Sequence, residues 1–200
     1  LDIEIYGKGG HGAEPQNCID TILITSKLIE AYQSVVSRNI TPIEPMVLTI
    51  GSIHGGSARN IIPEKVSLLG TIRIFSKSMM AFIKERLENI NKGFELSYGV
   101  KIDFNFTPVY SPVINDEKLY HVFREAVKGS NFVEAKPEMI AEDFSFYLDK
   151  VPGLFFFLGV RNEEKGYIYP LHNPKFNFDE AALLKGVETF QNIAYAMKAL

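Results

Sequence analysis

Apolar and polar positions alternate with period two from the first residue: Leu1, Ile3 and Ile5 against Asp2, Glu4 and Tyr6. That is the pattern of a half-buried strand. The glycine-rich run Gly7-Lys8-Gly9-Gly10-His11-Gly12 ends it. A helical period follows, with Ile22, Ile24, Leu28, Ile29, Ala31, Val35 and Val36 on one side and Asp20, Lys27, Glu30, Gln33 and Arg38 on the other. It predicts a helix over residues 17–38. After a loop at 39–45 comes a strand at 46–53, and residues 54–63 are glycine-rich without a period. Val66, Leu68, Ile72 and Ile74 then share one strand face, and Lys65, Ser67, Thr71 and Arg73 the other. Ser76 is placed to cap a second helix. The stripe of that helix is Met79, Ile83, Leu87, Ile90 and Phe94. Lastly Val100, Ile102, Phe104 and Phe106 alternate with Lys101, Asp103, Asn105 and Thr107.

The order strand, helix, strand, strand, helix, strand predicts an α/β (α+β) fold of the split βαβ, ferredoxin-like kind. Two helices would cover one face of an antiparallel sheet and leave the other face polar. An uncovered edge or helix surface in so small a unit is a natural dimer surface. The character changes near residues 108–112, which divides the chain into 1–109 and 110–200. Downstream, residues 116–127 read as a helix with Leu119, Val122, Phe123 and Ala126 inward. The continuous run Leu154-Phe155-Phe156-Phe157-Leu158 suits a strand buried on both faces of a parallel or mixed sheet. A last helix runs from about Asp179 to the end. So few strands imply part of a larger α/β sheet whose other strands lie outside the chain.

Composition narrows the classes. With 200 residues, 46% of them hydrophobic, the chain can form one medium core or two small ones. A net charge of −3 without a basic patch argues against a nucleic-acid partner. A split βαβ domain that binds RNA would also need aromatics on its central strands. No apolar run is long enough for a bilayer, and no signal segment opens the chain, so a membrane is not expected. The single Cys18 excludes an internal disulfide and fits a reducing compartment, the cytoplasm. A Leu start inside a strand-like run suggests a fragment or a processed piece.

Candidate chemistry centres on four histidines. His121 lies mid-helix off the apolar stripe and reads as a surface residue; His54 reads as structural. His11 sits in a glycine turn directly after a strand, where backbone can approach a ligand. It is either a turn residue or a functional group. The turn lacks the spacing of a phosphate loop or a dinucleotide fingerprint. His172 lies between two prolines in Tyr169-Pro170-Leu171-His172-Asn173-Pro174, a stiff loop that suits a metal ligand. One histidine is not a site, and the chain has no HExxH or paired cysteines. Glu142-Asp143 either favours a helix start through the dipole or orients a ligand. Asn60 could close a turn. Arg73 either faces solvent or forks a carboxylate.

Taken together, Gly7-Lys8-Gly9-Gly10-His11-Gly12-Ala13, Gly55-Gly56-Ser57-Ala58-Arg59-Asn60-Ile61-Ile62-Pro63, Gly70-Thr71-Ile72-Arg73, Glu142-Asp143-Phe144, Pro152-Gly153, Leu158-Gly159 and Leu171-His172-Asn173-Pro174 stand in a specific order. That order resembles the M20 metallopeptidases, most closely the branch with hippurate hydrolases and N-acyl-amino-acid and auxin-conjugate amidohydrolases. The resemblance implies a lid (dimerisation) domain at 1–109 and the C-terminal portion of a catalytic domain at 110–200. It implies cleavage of the amide bond of N-acyl amino acids or small peptides, with two divalent metal ions (zinc, manganese, cobalt or nickel) in the intact enzyme. His11 matches a histidine that reaches into the partner subunit's active site and polarises the scissile carbonyl. Asn60 and Arg73 match positions that hold the substrate carboxylate, and Glu142 and Asp143 an acidic pair near the site. His172 matches the C-terminal metal ligand.

Gln16 departs from the pattern, because many relatives carry a second histidine there. The family's N-terminal half, with the other ligands and the glutamate base, is absent, and Cys18 does not replace a metal ligand. In the intact enzyme a metal-bound water would be deprotonated by that glutamate. His11 would donate to the oxyanion, which typically contributes about 3–4 kcal/mol. The chain alone is therefore expected to be inactive. A non-enzymatic dimerisation or ligand-binding module is the alternative; it predicts a dimer without metal at His172.

Overall fold

The computed structural model describes residues 1–198, which form two compact units. The first holds Leu1–Pro112 with Glu138–Ala141; the second holds Val113–Pro137 and the residues from Glu142 onward. The first unit is a mixed α/β fold around a mainly antiparallel sheet. Its four long strands are β1 (Asp2–Tyr6), β3 (Met46–Gly55), β5 (Lys65–Ile74) and β6 (Lys101–Asn105), in the order β3-β5-β1-β6 with antiparallel neighbours. A second, two-stranded ladder joins β2 (Gly10–His11) to β4 (Ile61–Ile62).

Alternation places the core. Ile3 and Ile5 of β1, Val66 and Leu68 of β5, Ile102 of β6 and Leu48 of β3 are buried together. Helices α1 (Thr21–Asn39) and α2 (Lys77–Tyr98) bury one stripe each, Ile24, Leu28, Tyr32 and Val35 on the first and Met79, Ile83 and Leu87 on the second. Each stripe repeats at helical spacing, so one face of each helix packs and the other meets water. The opposite sheet face carries Glu4, Tyr6, Lys65, Lys101 and Asp103, and Lys65 and Lys101 flank the Tyr6 ring at 5.3 and 5.7 Å.

The start of the first helix and the bonding of the second helix's cap differ from what the pattern predicts. The expected helix at 17–38 starts at Thr21 instead, and Pro15–Asn17 form a short 3-10 turn. The reason is Asp20, which is not on the helix's polar face but caps it, accepting from the Ile22 and Leu23 amides at 3.1 Å each. Ser76 occupies the cap position of α2, but its hydroxyl bonds Ser78 rather than the backbone. Gly99, at φ 69°, ends α2 in the left-handed conformation that favours glycine.

The second unit contains α3 (Glu117–Ala126), α4 (Ser145–Leu148) and α5 (Ala181–Ala196). Residues 199–200, the end of the last predicted helix, lie outside the described residues. Asp116 caps α3 by accepting from Leu119 N–H at 3.0 Å. The run Leu154-Phe155-Phe156-Phe157-Leu158 is not a strand, which corrects the expectation from its hydrophobicity. A ladder needs a neighbouring backbone, and among the described residues none pairs with it. The Asn115 side chain takes that place, donating to the Phe155 carbonyl at 2.9 Å and accepting from its N–H at 2.7 Å. The side chains of the run pack as rings instead: Phe156 lies 4.9 Å from Phe123 and 5.5 Å from Phe190. Among the described residues no helix is long and apolar enough to cross a membrane.

Candidate functional site

His11 follows directly from the glycine run. After β1, Gly7 N–H bonds the Glu64 carbonyl at 2.8 Å, so the chain stays beside the segment that leads into β5. Close approach explains the small residues. A Cβ on Gly7 would lie 2.7 Å from the Ile19 carbonyl oxygen, and one on Gly10 2.5 Å from Cys18 Sγ. The ladder then sets His11 opposite Ile61, and Gly12 N–H donates to the Asn60 carbonyl at 2.8 Å. Two segments that the pattern leaves as a turn and a loop therefore meet. His11 and Asn60 come together at one end of the sheet, both exposed.

The imidazole of His11 is fixed on one side only. Ala13 N–H donates to its Nδ1 at 3.1 Å. Asn60 lends its carbonyl to the ladder, and its amide side chain has no hydrogen bond among the described residues. The nearby strand ends carry a charged cluster. Glu4 accepts from the Lys65 ammonium and from the Tyr6 hydroxyl. These bonds hold the Glu4 carboxyl below its ordinary range, and the same carboxylate raises Tyr6 and Lys65.

Arg73 stands elsewhere. It lies on β5 opposite Val47, eight residues beyond Lys65, which is the end next to His11 and Asn60. At roughly 3.3 Å per residue that separation is about 26 Å. Arg73 shares the open sheet face with Lys65, is half-buried, and forms no ion pair among the described residues. His54 also lies on β3, opposite Ser67.

Within the second unit, Glu142 and Asp143 precede α4. The Glu142 carboxylate accepts from Phe144 N–H at 3.3 Å, and Asp143 is exposed. His172 is exposed at φ 66°, a left-handed conformation uncommon for residues with a Cβ. The turn around it is held by Asn173, whose N–H donates to the Pro170 carbonyl at 3.2 Å and whose side chain accepts from Lys175 N–H at 2.9 Å. Among the described residues no group of three or more His, Cys, Asp or Glu could hold a metal ion. Pattern reading also missed the partner of His11. Its signal is weak: a small residue two places after a histidine in a turn.

Comparison with known proteins adds a frame to this geometry. The family model for peptidase family M20/M25/M40 matches residues 7–196. The chain is 40% identical over 184 residues to an N-acetyldiaminopimelate deacetylase of Exiguobacterium sibiricum, covering 92% of this chain and 49% of that protein. It is 37% identical over 200 residues to thermostable carboxypeptidase 2 of Saccharolobus solfataricus, covering 99% and 50%. A crystal structure from methicillin-resistant Staphylococcus aureus superposes with a TM-score of 0.87 at 33% identity, over 98% of this chain and 51% of that one. A dinuclear metal-binding peptidase of the M20 family from Bacillus subtilis superposes with a TM-score of 0.77 at 27% identity, over 96% and 48%. The chain thus spans about half the length of the curated relatives it matches.

Proposed function

Because the chain belongs to the M20/M25/M40 peptidase family, we propose that it is the lid and the C-terminal part of the catalytic unit of a metal-dependent hydrolase. Its substrates would be N-acyl amino acids or small peptides. Relatives named as a deacetylase and a carboxypeptidase support that class. The first unit is read as the split βαβ lid at 1–109, which the strand order β3-β5-β1-β6 supports. The residues from 110 onward are read as catalytic-domain sequence.

One observation carries the reading: His11 and Asn60 share one end of the sheet while Arg73 sits about 26 Å away along β5. No small substrate touches both ends within one chain. A second copy resolves this. Strand β3 is a ten-residue edge, and edges recruit partners. Two β3 strands paired antiparallel would set the Gly55 end of one beside the Met46 end of the other. His11 and Asn60 of one subunit would then approach Arg73 of its partner. Val47 and Ile53 on the strand and Ile22 and Leu23 on α1 are exposed apolar residues near this edge. In such a homodimer His11 donates to the substrate carbonyl oxygen as it becomes negative. Arg73 and Asn60 hold the carboxylate, the guanidinium as a two-pronged donor. Glu142 and Asp143 would orient substrate or ligands.

The metals are a separate matter. The dinuclear peptidase of Bacillus subtilis is one structural neighbour, and His172 is proposed as one ligand. The described residues of this chain do not by themselves fit a two-metal site, so no step is derived through it. Cys18 is unpaired, which suits the cytoplasm.

The test is direct. The purified chain should elute as a dimer and release no amino acid from a hippurate-like substrate with zinc, manganese, cobalt or nickel added. Robust metal-dependent release by this chain alone would refute the inactive-piece reading, and a strict monomer would refute the shared site.

A further inference from the structure

His11 opens a turn that its own backbone closes, since Glu14 N–H donates to the His11 carbonyl at 2.9 Å. Inside that turn Ala13 N–H donates to His11 Nδ1 at 3.1 Å. A backbone N–H can only donate, so Nδ1 is the acceptor and bears no proton. The neutral ring must then carry its hydrogen on Nε2. The arrangement copies an Asx turn, with a ring nitrogen where Asn or Asp would place an oxygen. The main chain that presents the amide is itself anchored, because Gly12 between the two residues is bonded to Asn60 at 2.8 Å.

We infer that the Ala13 N–H is a positioning group that locks His11 in the Nε2–H tautomer, so that the outer edge of the ring is a hydrogen-bond donor. This rests on the reading of His11 as a donor to a substrate oxygen. The other tautomer would turn a lone pair toward an oxygen gaining negative charge and would oppose the reaction rather than assist it. The bare amide suits this task, since it has no lone pair to accept from Nδ1–H. A side-chain hydroxyl there could serve either tautomer. The lock also orients the ring, because Nδ1 is tied to a turn that the β2–β4 ladder holds.

The test uses the 200-residue chain labelled with 15N. A scalar coupling across the hydrogen bond should link the Ala13 amide to His11 Nδ1. Long-range proton–nitrogen correlations should show Nδ1 as pyridine-like and Nε2 as protonated. Replacing Ala13 by lactic acid puts an ester in place of the amide and removes the N–H at nearly constant shape. It should abolish the coupling and populate the Nδ1–H form. Absence of the coupling in the unmodified chain overturns the inference, and so does a tautomer ratio that the ester leaves unchanged. The functional reading fails separately: if the lock is present but His11→Ala leaves kcat of the intact enzyme unchanged, His11 is not the donor and the tautomer assignment still stands.

Discussion

Replacing Tyr32 by Phe should destabilise the first unit by about 2 kcal/mol without changing its shape. The Tyr32 side chain is fully buried on α1, and its hydroxyl donates to Asn91 Oδ1 on α2 at 2.6 Å. Asn91 is itself buried, and its Nδ2 already lacks a partner among the described residues. Phe keeps the ring and its packing but leaves Asn91 with neither polar atom bonded. A buried acceptor stripped of its donor costs about 1–3 kcal/mol, and the middle of that range is roughly a 30-fold change in the folding constant. Removing both partners is different. Tyr32→Phe with Asn91→Leu deletes the orphaned groups together and should come within about 1 kcal/mol of the parent. The two changes would then be strongly non-additive. Urea unfolding followed by circular dichroism measures all four proteins, provided the slope stays constant. Burial also raises the Tyr32 hydroxyl above its ordinary value. Its contribution is therefore complete below about pH 10 and is lost as pH rises toward the folded value. A Tyr32→Phe cost under about 0.5 kcal/mol, or a double variant equal to the sum of the singles, would refute the account.

Three further outcomes follow from the same geometry. Glu4 has its carboxyl lowered by Lys65 and Tyr6, so its contribution is present above the unfolded carboxyl value of about 4.3 and is lost as pH falls through the folded one. Melting curves of Glu4→Gln should accordingly show a flatter acid limb, and an unchanged limb would remove the cluster from the account. Gly12→Ala would set a Cβ 3.1 Å from the Asn60 carbonyl oxygen; amide exchange at position 12 should speed up while exchange in α1 and α2 stays as it was. Ile53→Lys on the exposed edge strand should shift the proposed dimer to monomer in a sizing measurement, because an edge lysine blocks strand pairing; an unaltered elution volume would place the interface elsewhere.

The parts of the fold that could be read from sequence are those in which one face is buried and the other wet. Ile3, Ile5, Val66 and Leu68 are spaced at period two because they pack on the stripes of α1 and α2. Asp20 shows a finer limit: it fitted the helix's polar side by period, and its role as the cap became visible only from its bonds to the Ile22 and Leu23 amides. The β2–β4 ladder was invisible, since two residues per strand cannot display a period. The joining of His11 to Asn60, and the distance of both from Arg73, became visible only once strand register was known. Hydrophobicity misled at Leu154-Phe155-Phe156-Phe157-Leu158. It reports a preference for apolar neighbours, which Phe123 and Phe190 satisfy, and says nothing of a backbone partner.

The central position of β1 has a consequence for how the molecule is made. β1 is flanked on one side by β5, where Asp2 meets Leu69, and on the other by β6, where Asp2 meets Asn105. Of the four strands in this sheet β1 is made first, and it is thus among the last to find both neighbours. At about 5–20 residues per second, the hundred residues between those partners take roughly 5–20 seconds to synthesise. Until β5 has emerged Ile3 and Ile5 have no sheet to enter, the second flank stays open until β6 follows, and contacts so distant in sequence also slow the search once the chain is free. The glycine run that follows β1 adds no large apolar side chain to this segment, and His11 acquires its ladder partner Ile61 only after residue 61 has emerged.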